Sequence, residues 1–217
     1  ASIEQPLALA AATGPVVRRG DLAAAAGLDD ADAGRVIEVA EAAGVLEASA
    51  DGHRFTDPAV ADGLVQGLDP SARDDANRAV ATHLQATGAP LAAVAERLLA
   101  AGDLDDAAPL LVAAAFAAAS AQQHAEVLVL TERVDEVETP AVRQSLLELR
   151  ADALAAMGDH EAIPRYREAI RLATPEQLPW LRTRLARVHL FAGDVDAAAE
   201  VIDGVAPEGP AAGGIAL

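Results

Sequence analysis

The first part of the chain shows three short stretches in which apolar residues recur at helical spacing. Each stretch stops at a glycine, and together they are Gln5–Thr13, the run LAAAAG with Asp21 as its predicted N-cap, and AGRVIEVAEAAG. The predicted apolar face of the third stretch consists of Val36, Ile37, Ala40 and Ala43. The pattern therefore predicts three helices before residue 45.

Two β-prone runs, VLEAS and HRFT, follow the third predicted helix. They flank Ala50-Asp51-Gly52, where the Asp-Gly pair favours the positive φ values of a tight hairpin. Three helices followed by a hairpin is the element order of a winged helix, which predicts a winged-helix module over residues 1–68. The hairpin, called the wing below, is then either a DNA contact or a structural joint.

Beyond the wing the pattern changes to longer helices with short polar breaks, and no strand pattern follows Thr56. The predicted helices are AVADGLVQGL after Asp57-Pro58, then Ser71–Thr87, Leu91–Ala101, Leu104–Ala121 and His124–Glu136. Three breaks share a Gly-Asp pair, at Gly102, Gly158 and Gly193. Each pair predicts a helix that ends at the glycine and a helix that the aspartate caps, as in antiparallel helix hairpins.

The last two of these breaks are separated by about the 34-residue period of a tetratricopeptide repeat. Residues in repeat-like order surround them: Ala153, Ala162, Tyr166, Ala169 and Pro175, then Ala186, Ala197 and Pro207. The predicted fold is therefore mainly α, a winged helix with a small β-hairpin followed by an α-α superhelix of tetratricopeptide-like repeats. Residues 69–139 form the predicted linker with degenerate repeats, and residues 140–217 the better repeats.

Three quoted stretches together resemble one regulator family: GHRFTDPAVADGLVQGLDPSAR, ATHLQATG and AERLLAAGDLDDAAPLLVAAAFAAAS. They are similar to the central region of large ATP-binding LuxR-family regulators, the signal-transduction NTPases related to the maltose regulator. Asp57 stands where that family more often has His. The resemblance implies a winged helix and helical repeats, between an upstream nucleotide-binding domain and a downstream DNA-binding helix-turn-helix.

The composition disfavours or excludes several binding and catalytic functions. The chain has a net charge of −18 and is 52% hydrophobic and 2% aromatic, which favours a folded helical protein and disfavours binding to nucleic acid or anionic membranes. It has no Cys and fits a reducing cytoplasm, and no apolar run is long enough to span a membrane. It also has no Lys, which excludes a lysine-bearing P-loop within this chain.

No pattern typical of an active site is present. The five histidines are scattered without an HExxH pair, and no GxSxG signature occurs. A metal site assembled by the fold is the alternative to surface or packed histidines. Asp29, Asp30 and Asp32 are interpreted as a solvated turn and N-cap. We therefore expect a non-enzyme without catalytic residues, metal or cofactor.

DNA binding through the wing has two candidate residues, His53 and Arg54. The third predicted helix, which would enter the major groove, offers one Arg and two Glu, an adverse charge for base and phosphate contacts. We therefore expect the wing to be a structural joint. In the simplest interpretation it is an exposed hairpin edge whose charged side chains prevent pairing with another strand.

Arginines are concentrated in the repeat region and suggest a ligand or partner surface for an acidic peptide or an anionic effector. They are Arg143, Arg150, Arg165, Arg167, Arg171, Arg182, Arg184 and Arg187. The competing interpretation is local pairing within helices, Glu161 with Arg165 and Glu168 with Arg171. Aromatic residues of the helical region, Phe116, Tyr166, Trp180 and Phe191, are interpreted as packing.

These observations predict a cytoplasmic, non-catalytic regulatory segment of a larger transcriptional regulator. Its partners are other domains of the same parent protein or a separate protein or peptide, and an inducer or partner shifts the packing between its modules. Two alternatives stay open: a directly DNA-binding winged-helix repressor with a helical sensor domain, and an accessory regulatory region of a cyclase or kinase.

Overall fold

A computed structural model describes residues 3–203. This part of the chain is mainly helical, with twelve α-helices and one three-stranded antiparallel sheet, which confirms the predicted mainly α class. The chain divides into two compact units, one up to Ala107 and one from Ala108 onward. The domain boundaries expected after residues 68 and 139 stay predictions.

The first unit contains the three strands and six complete helices. In chain order they are α1 (Glu4–Ala12), β1 (Val16–Val17), α2 (Arg19–Ala26), α3 (Asp30–Ala42), β2 (Leu46–Ser49), β3 (Gly52–Phe55), α4 (Pro58–Gln66), α5 (Pro70–Ala86) and α6 (Leu91–Ala100). The sheet order is β1-β3-β2. β1 has no counterpart in the predicted elements, because a strand of two residues exists only through its pairing with β3.

The core of this unit lies between α1, α2, α3 and the sheet. Its buried residues are Leu7, Ala10, Val17, Leu22, Ala33, Val36, Ile37, Ala40 and Leu46. Three residues of the predicted apolar face of α3 are therefore buried, but Ala43 is exposed. It lies beyond the last residue of α3, where the chain turns toward β2.

The turn of the wing differs from the predicted one. Ser49 pairs with Gly52, so Ala50 and Asp51 form the connection and Gly52 is the first residue of β3. Positive φ at Asp51 was therefore a wrong expectation; within the turn Gly52 alone has one, 142°. A Cβ atom on Gly52 would lie 2.9 Å from the carbonyl oxygen of Val17, so the close approach of β1 requires glycine.

Two predicted helix caps of the first unit are confirmed. The Asp29 carboxylate accepts a hydrogen bond from the N–H of Asp32 at 2.7 Å and caps α3. The Asp57 carboxylate accepts one from the N–H of Ala59 at 2.9 Å, ahead of the first-turn Pro58 of α4. The acidic turn before α3 is thus a helix cap, as interpreted from the sequence.

The predicted cap of α2 is wrong. α2 begins at Arg19, directly after β1, and Arg18 occupies the N-cap position without a side-chain hydrogen bond. Asp21 therefore lies inside the first helical turn, where its carboxylate is 3.6 Å from the Arg18 guanidinium. The unrecognised strand places the helix start three residues earlier than the sequence pattern indicates.

Of the helices that follow, α7 has close to its predicted bounds and α8 is shorter than predicted. These helices are α7 (Leu104–Ser120), α8 (His124–Leu130), a 3₁₀ helix (Val134–Glu136), α9 (Pro140–Ala156), α10 (Ala162–Leu172), α11 (Leu178–Phe191) and α12 (Val195–Ile202). The helix predicted to reach Glu136 ends at Leu130. After Thr131 the backbone hydrogen bonds span three residues instead of four, from the N–H of Val134 to the carbonyl of Thr131, for example.

The three Gly-Asp breaks share one backbone geometry. Gly102, Gly158 and Gly193 have left-handed φ values of 80°, 74° and 79°. In each break the N–H of the following aspartate donates to the carbonyl oxygen five residues earlier, at 2.9 Å. This is a Schellman motif, in which glycine removes the steric cost of the left-handed residue.

The aspartates of the breaks have three different roles. Asp194 caps α12 by accepting from the N–H of Ala197 at 3.1 Å, as predicted. The Asp103 carboxylate is instead bound by Arg78, at 2.6 Å from its Nε atom, and this hydrogen bond lowers the pKa of Asp103. Asp159 accepts from the N–H of Glu161, one residue before α10 begins, so it is not the residue at the cap position.

Consecutive helices of the second unit pack against each other, α9 with α10, α10 with α11, and α11 with α12. Small residues of these helices are buried, among them Ala153, Ala162 and Ala169, and Ala153 packs against residues of α7 and α8. Ala197 is half-buried, with its neighbour Ala198 buried instead. Pro207, the last residue of the repeat-like order, lies outside the described residues.

Candidate functional site

The wing histidine faces its own unit. His53 lies on β3, and its Nε2 atom is 3.2 Å from Oε1 of Glu41 near the end of α3. The Nδ1 atom is buried without a hydrogen-bond partner. His53 thus contacts α3, the helix that would have to enter the major groove if this unit bound DNA.

Arg54 is exposed on the other face of the wing, opposite Glu47 of β2 and Val16 of β1. Nearby arginines are already bound within the unit: Arg19 donates to the carbonyl oxygen of Asp30 at 2.8 Å, and Arg35 pairs with Asp32. The exposed part of α3 also carries two glutamates, Glu38 and Glu41. The wing and α3 therefore form no basic surface of the kind that phosphates require.

Two of the candidate arginines, Arg143 and Arg165, belong to an ion-pair cluster. Arg143 Nη2 is 2.7 Å from Glu168 Oε1, and Arg165 Nη1 is 2.9 Å from Asp135 Oδ1. The predicted pairs of Glu161 with Arg165 and Glu168 with Arg171 are not formed. Asp135 lies on the 3₁₀ helix, about one turn beyond the end of α8, and only the packing of that segment makes it a partner.

Arg150 has a structural position. Its Nη1 donates to the carbonyl oxygen of Leu128 at 2.9 Å and to Oγ1 of the buried Thr131 at 3.3 Å. These are groups at the C-terminal end of α8, where backbone carbonyls lack helical partners. Arg150 therefore joins α9 to the end of α8.

Three further candidate arginines lie apart from these. Arg167 and Arg182 line a cleft of about 440 Å³ between α10, α11 and α12, together with Glu200. Arg171 is exposed at the end of α10. The eight candidate arginines are thus distributed over several places in the second unit, and the last two of them, Arg184 and Arg187, line a groove.

This groove, called the α9–α11 groove below, has a volume of about 320 Å³. α9 contributes Asp152 and two alanines, and α10 contributes Tyr166. One side of α11 provides the remaining wall: Trp180, Arg184, Arg187, Val188 and Phe191. Because these positions follow helical spacing, they form one continuous stripe along α11.

The floor of the groove is held by a hydrogen-bonded network. The Tyr166 hydroxyl donates to the Asp152 carboxylate, and Arg184 binds the same carboxylate. Arg184 also donates to Glu148 at 3.2 Å, and its guanidinium lies 4.4 Å from the centre of the Trp180 ring. A guanidinium held by two carboxylates and an indole has little freedom, so the floor is rigid before any ligand arrives.

Burial raises the pKa of Tyr166 far above its usual range, and the negative charge of Asp152 raises it further. The phenol therefore stays protonated and keeps its hydrogen bond to Asp152 at neutral pH. A tyrosinate beside a carboxylate in a buried position is strongly unfavourable.

The rim of the groove is exposed and apolar at both ends. Phe191 is 84% exposed and Trp180 is 41% exposed, while Tyr166 is buried as interpreted from the sequence. The interpretations of Phe191 and Trp180 as packing are therefore wrong, and Phe116 on α7 is likewise 65% exposed. Hydrophobic aromatic character alone does not distinguish a core position from a surface stripe.

Arg187 lies between these aromatic residues on the rim. It is exposed, and no residue within 3–203 forms a hydrogen bond or ion pair with it. The sequence does not show that Arg184 is paired and that Arg187 is free within the described range. Arg184 finds its two carboxylates on α9, and only the packing of the helices brings them together. Asp152 and Glu148, the residues that make this distinction, were missed.

The described histidines and carboxylates form no metal centre. Among residues 3–203, no group of three or more such side chains has a geometry that could hold a metal ion. His189 is buried, with Nδ1 3.6 Å from the Asp194 carboxylate, and is a packed histidine of α11. No helix in the described range is long and apolar enough to cross a membrane.

Comparison of the chain with protein-family models, curated proteins and solved structures gives no match.

Proposed function

We propose that this chain is a non-catalytic regulatory segment that binds a protein or peptide partner in the α9–α11 groove. The observation that carries the proposal is the stripe on α11, which exposes Trp180, Arg187 and Phe191 beside a preorganised floor. Exposed aromatic and arginine side chains are the residue types that contribute most to binding at protein interfaces.

Burial of apolar area favours binding of a partner that covers the rim of the groove. Two exposed aromatic rings on one helix face leave apolar area in contact with water, and a partner gains by removing it. Arg184 is already fixed by Asp152 and Glu148, so little side-chain entropy is lost there on binding.

For the architecture we infer a winged helix followed by tetratricopeptide-like repeats. The order α1-β1-α2-α3-β2-β3 with sheet order β1-β3-β2 supports the first assignment. The sequential packing of α9 to α12 and the shared Gly-Asp breaks support the second. In such repeats the first helix of each pair lines the binding surface, and α9 and α11 hold those positions.

The resemblance to large ATP-binding LuxR-family regulators supplies the biological context of this proposal. In that context the segment belongs to a cytoplasmic transcriptional regulator, and its partner is another domain of the parent protein or a separate protein. Binding favours one of two packings between modules and so changes the state of the parent. The first unit acts as a structural joint, since Arg35 and His53 are paired with Asp32 and Glu41, which leaves Arg54 as the one basic side chain of α3 and the wing without a partner among residues 3–203.

The test is selection of random linear peptides displayed on phage against the whole chain and against a Phe191→Ser variant. Because Phe191 is 84% exposed, its replacement should leave the fold intact, which circular dichroism checks. Phe116→Ser removes another exposed phenylalanine that does not line the groove and is the matched control.

The proposal predicts peptides that bind the chain and the Phe116→Ser control but lose binding to Phe191→Ser. If no selected peptide distinguishes Phe191→Ser from the unchanged chain, the groove is not a partner-binding surface and the proposal is wrong.

A further inference from the structure

We propose that the partner of the α9–α11 groove is a peptide segment in which one acidic side chain lies between two apolar ones, its carboxylate paired with Arg187. This inference rests on the proposed function and specifies the chemistry of its ligand. It follows from the balance of charge in the groove and from the spacing of the stripe on α11.

The charges on the groove floor are internally satisfied. Asp152 accepts from both Tyr166 and Arg184, and Glu148 accepts from Arg184. Of the charged residues that line the groove, Arg187 is the one for which residues 3–203 provide no partner. The groove therefore offers a single uncompensated guanidinium, and a single carboxylate matches it in charge and in bidentate geometry.

The spacing along α11 limits where the apolar side chains of the ligand lie. At about 1.5 Å per residue, Trp180 and Phe191 are roughly 16 Å apart along the helix axis, with Arg187 about 6 Å from Phe191. An extended peptide covers roughly 3.3 Å per residue. The acidic residue is then about two positions from the apolar residue at Phe191 and about three from the one at Trp180.

The same arrangement disfavours nucleic acid, the other ligand that stacks on aromatic and arginine side chains. Single-stranded nucleic acid brings a phosphate with every base and requires a groove with several free cations. Here the groove offers one arginine that residues 3–203 leave without a partner, and the whole chain carries a net charge of −18. A segment with one negative charge avoids most of this repulsion.

The experiment uses the groove-dependent peptides from the display selection, made as free peptides with an acidic residue and with its neutral amide equivalent. Trp180 is the only tryptophan of the chain, so its fluorescence reports binding at the groove directly. The variants are Arg187→Glu and, as a matched control, Arg171→Glu, which changes another exposed arginine outside the groove that has no partner among residues 3–203.

We expect the amide peptide to bind about tenfold or more weakly than the acidic one, the effect of losing one charge-assisted hydrogen bond. Arg187→Glu should weaken the acidic peptide at least as much and should improve a peptide with Lys at the acidic position. Arg171→Glu should leave all these affinities within about twofold, since Arg171 lies outside the groove and salt screens the interaction of distant surface charges.

The outcomes separate this inference from the proposed function. Groove-dependent peptides that show no preference for an acidic residue, or that ignore Arg187→Glu, overturn the inference and leave the proposed function standing. If no peptide depends on Phe191, both are wrong. Saturable quenching of Trp180 by oligo(dT) that is lost in Arg187→Glu also overturns the inference, in favour of single-stranded nucleic acid.

Discussion

The wing of the first unit and the α9–α11 groove of the second each hold one basic side chain in an ion pair and leave one, Arg54 or Arg187, exposed without a partner among residues 3–203. On the wing, His53 contacts Glu41 of α3, and Gly52 is held against β1. In the groove, Phe191 and Arg187 are exposed above a floor whose charges are already paired. Both regions have basic residues near an aromatic one in the sequence, but Phe55 of the wing packs against the core, whereas Phe191 of the groove stays exposed.

The difference shows that the number of basic residues is a poor guide to a binding surface. What decides is whether a side chain finds a partner within its own unit, and this depends on how the helices and strands pack. Arg184 and Arg187 are neighbours on the same helix face, but α9 supplies carboxylates to the first alone. The following predictions test this distinction, starting with the largest expected effect.

The wing is expected to depend on Gly52 for its stability. Gly52→Ala should lower the free energy of unfolding by about 2–4 kcal/mol, since the residue has a φ of 142° and its Cβ would lie 2.9 Å from a backbone oxygen. Urea unfolding followed by circular dichroism measures the change. Gly63→Ala is the control, because a Cβ there meets nothing within 4 Å inside a helix, and it should stabilise the chain slightly.

Paired and unpaired arginines of the second unit should differ in their effect on stability. Arg150→Ala leaves the Leu128 carbonyl and the Thr131 hydroxyl without this donor and should lower the free energy of unfolding by about 1–2 kcal/mol. Arg187→Ala should change it by less than about 0.5 kcal/mol, as is usual for surface positions. Equal losses for both variants would mean that Arg187 has a structural partner and is not free for a ligand.

A smaller effect is expected at the end of α7. Gln122 has a φ of 58°, the only positive value of a non-glycine residue in the described range, and it occupies the place that glycine holds in the three Gly-Asp breaks. Gln122→Gly should raise the free energy of unfolding by up to about 1 kcal/mol, since glycine has no steric cost there. Thermal unfolding measures it, and Gly158→Ala, at a φ of 74°, should have the opposite sign.

The stability that the groove floor contributes is expected to fall in alkaline solution. The folded-state pKa of Tyr166 is raised above the unfolded value near 10, so the unfolded chain loses this proton first. The stability that the protonated tyrosine contributes is therefore complete below about pH 10 and is lost as the pH rises above it.

This alkaline loss can be assigned to one residue. The chain has one Tyr and no Lys or Cys, so no other side chain is expected to titrate between about pH 9 and pH 11. Urea unfolding at the two pH values should show the loss in the unchanged chain and its absence in Tyr166→Phe. A loss of the same size in both would contradict the buried position of the phenol.

The features that could be predicted from the sequence are the ones set by neighbouring residues. The caps Asp29, Asp57 and Asp194 and the glycine-terminated helices depend on a few consecutive positions, and the structure has them. β1 could not be predicted because its two residues become a strand only beside β3.

The site was predicted less well, for the same physical reason. The eight arginines were identified, but their partners come from other helices: Asp135 for Arg165, and Asp152 for Arg184. A helical pattern indicates that Trp180 and Phe191 share a face with Arg187, but not that this face is uncovered. The spacing of charges along α10 suggested the pairs Glu161 with Arg165 and Glu168 with Arg171. In the structure Arg165 pairs with Asp135 and Glu168 with Arg143.

The most direct test of the central claim is a fluorescence titration of Trp180 with the peptide that the display selection enriches most strongly. The account predicts a saturable change in emission for the whole chain and the Phe116→Ser control, and a loss of binding in Phe191→Ser and Arg187→Glu. The same titration midpoint in both groove variants as in the unchanged chain, or no change in Trp180 emission on addition of the peptide, would contradict it, because the peptide would then bind elsewhere on the chain.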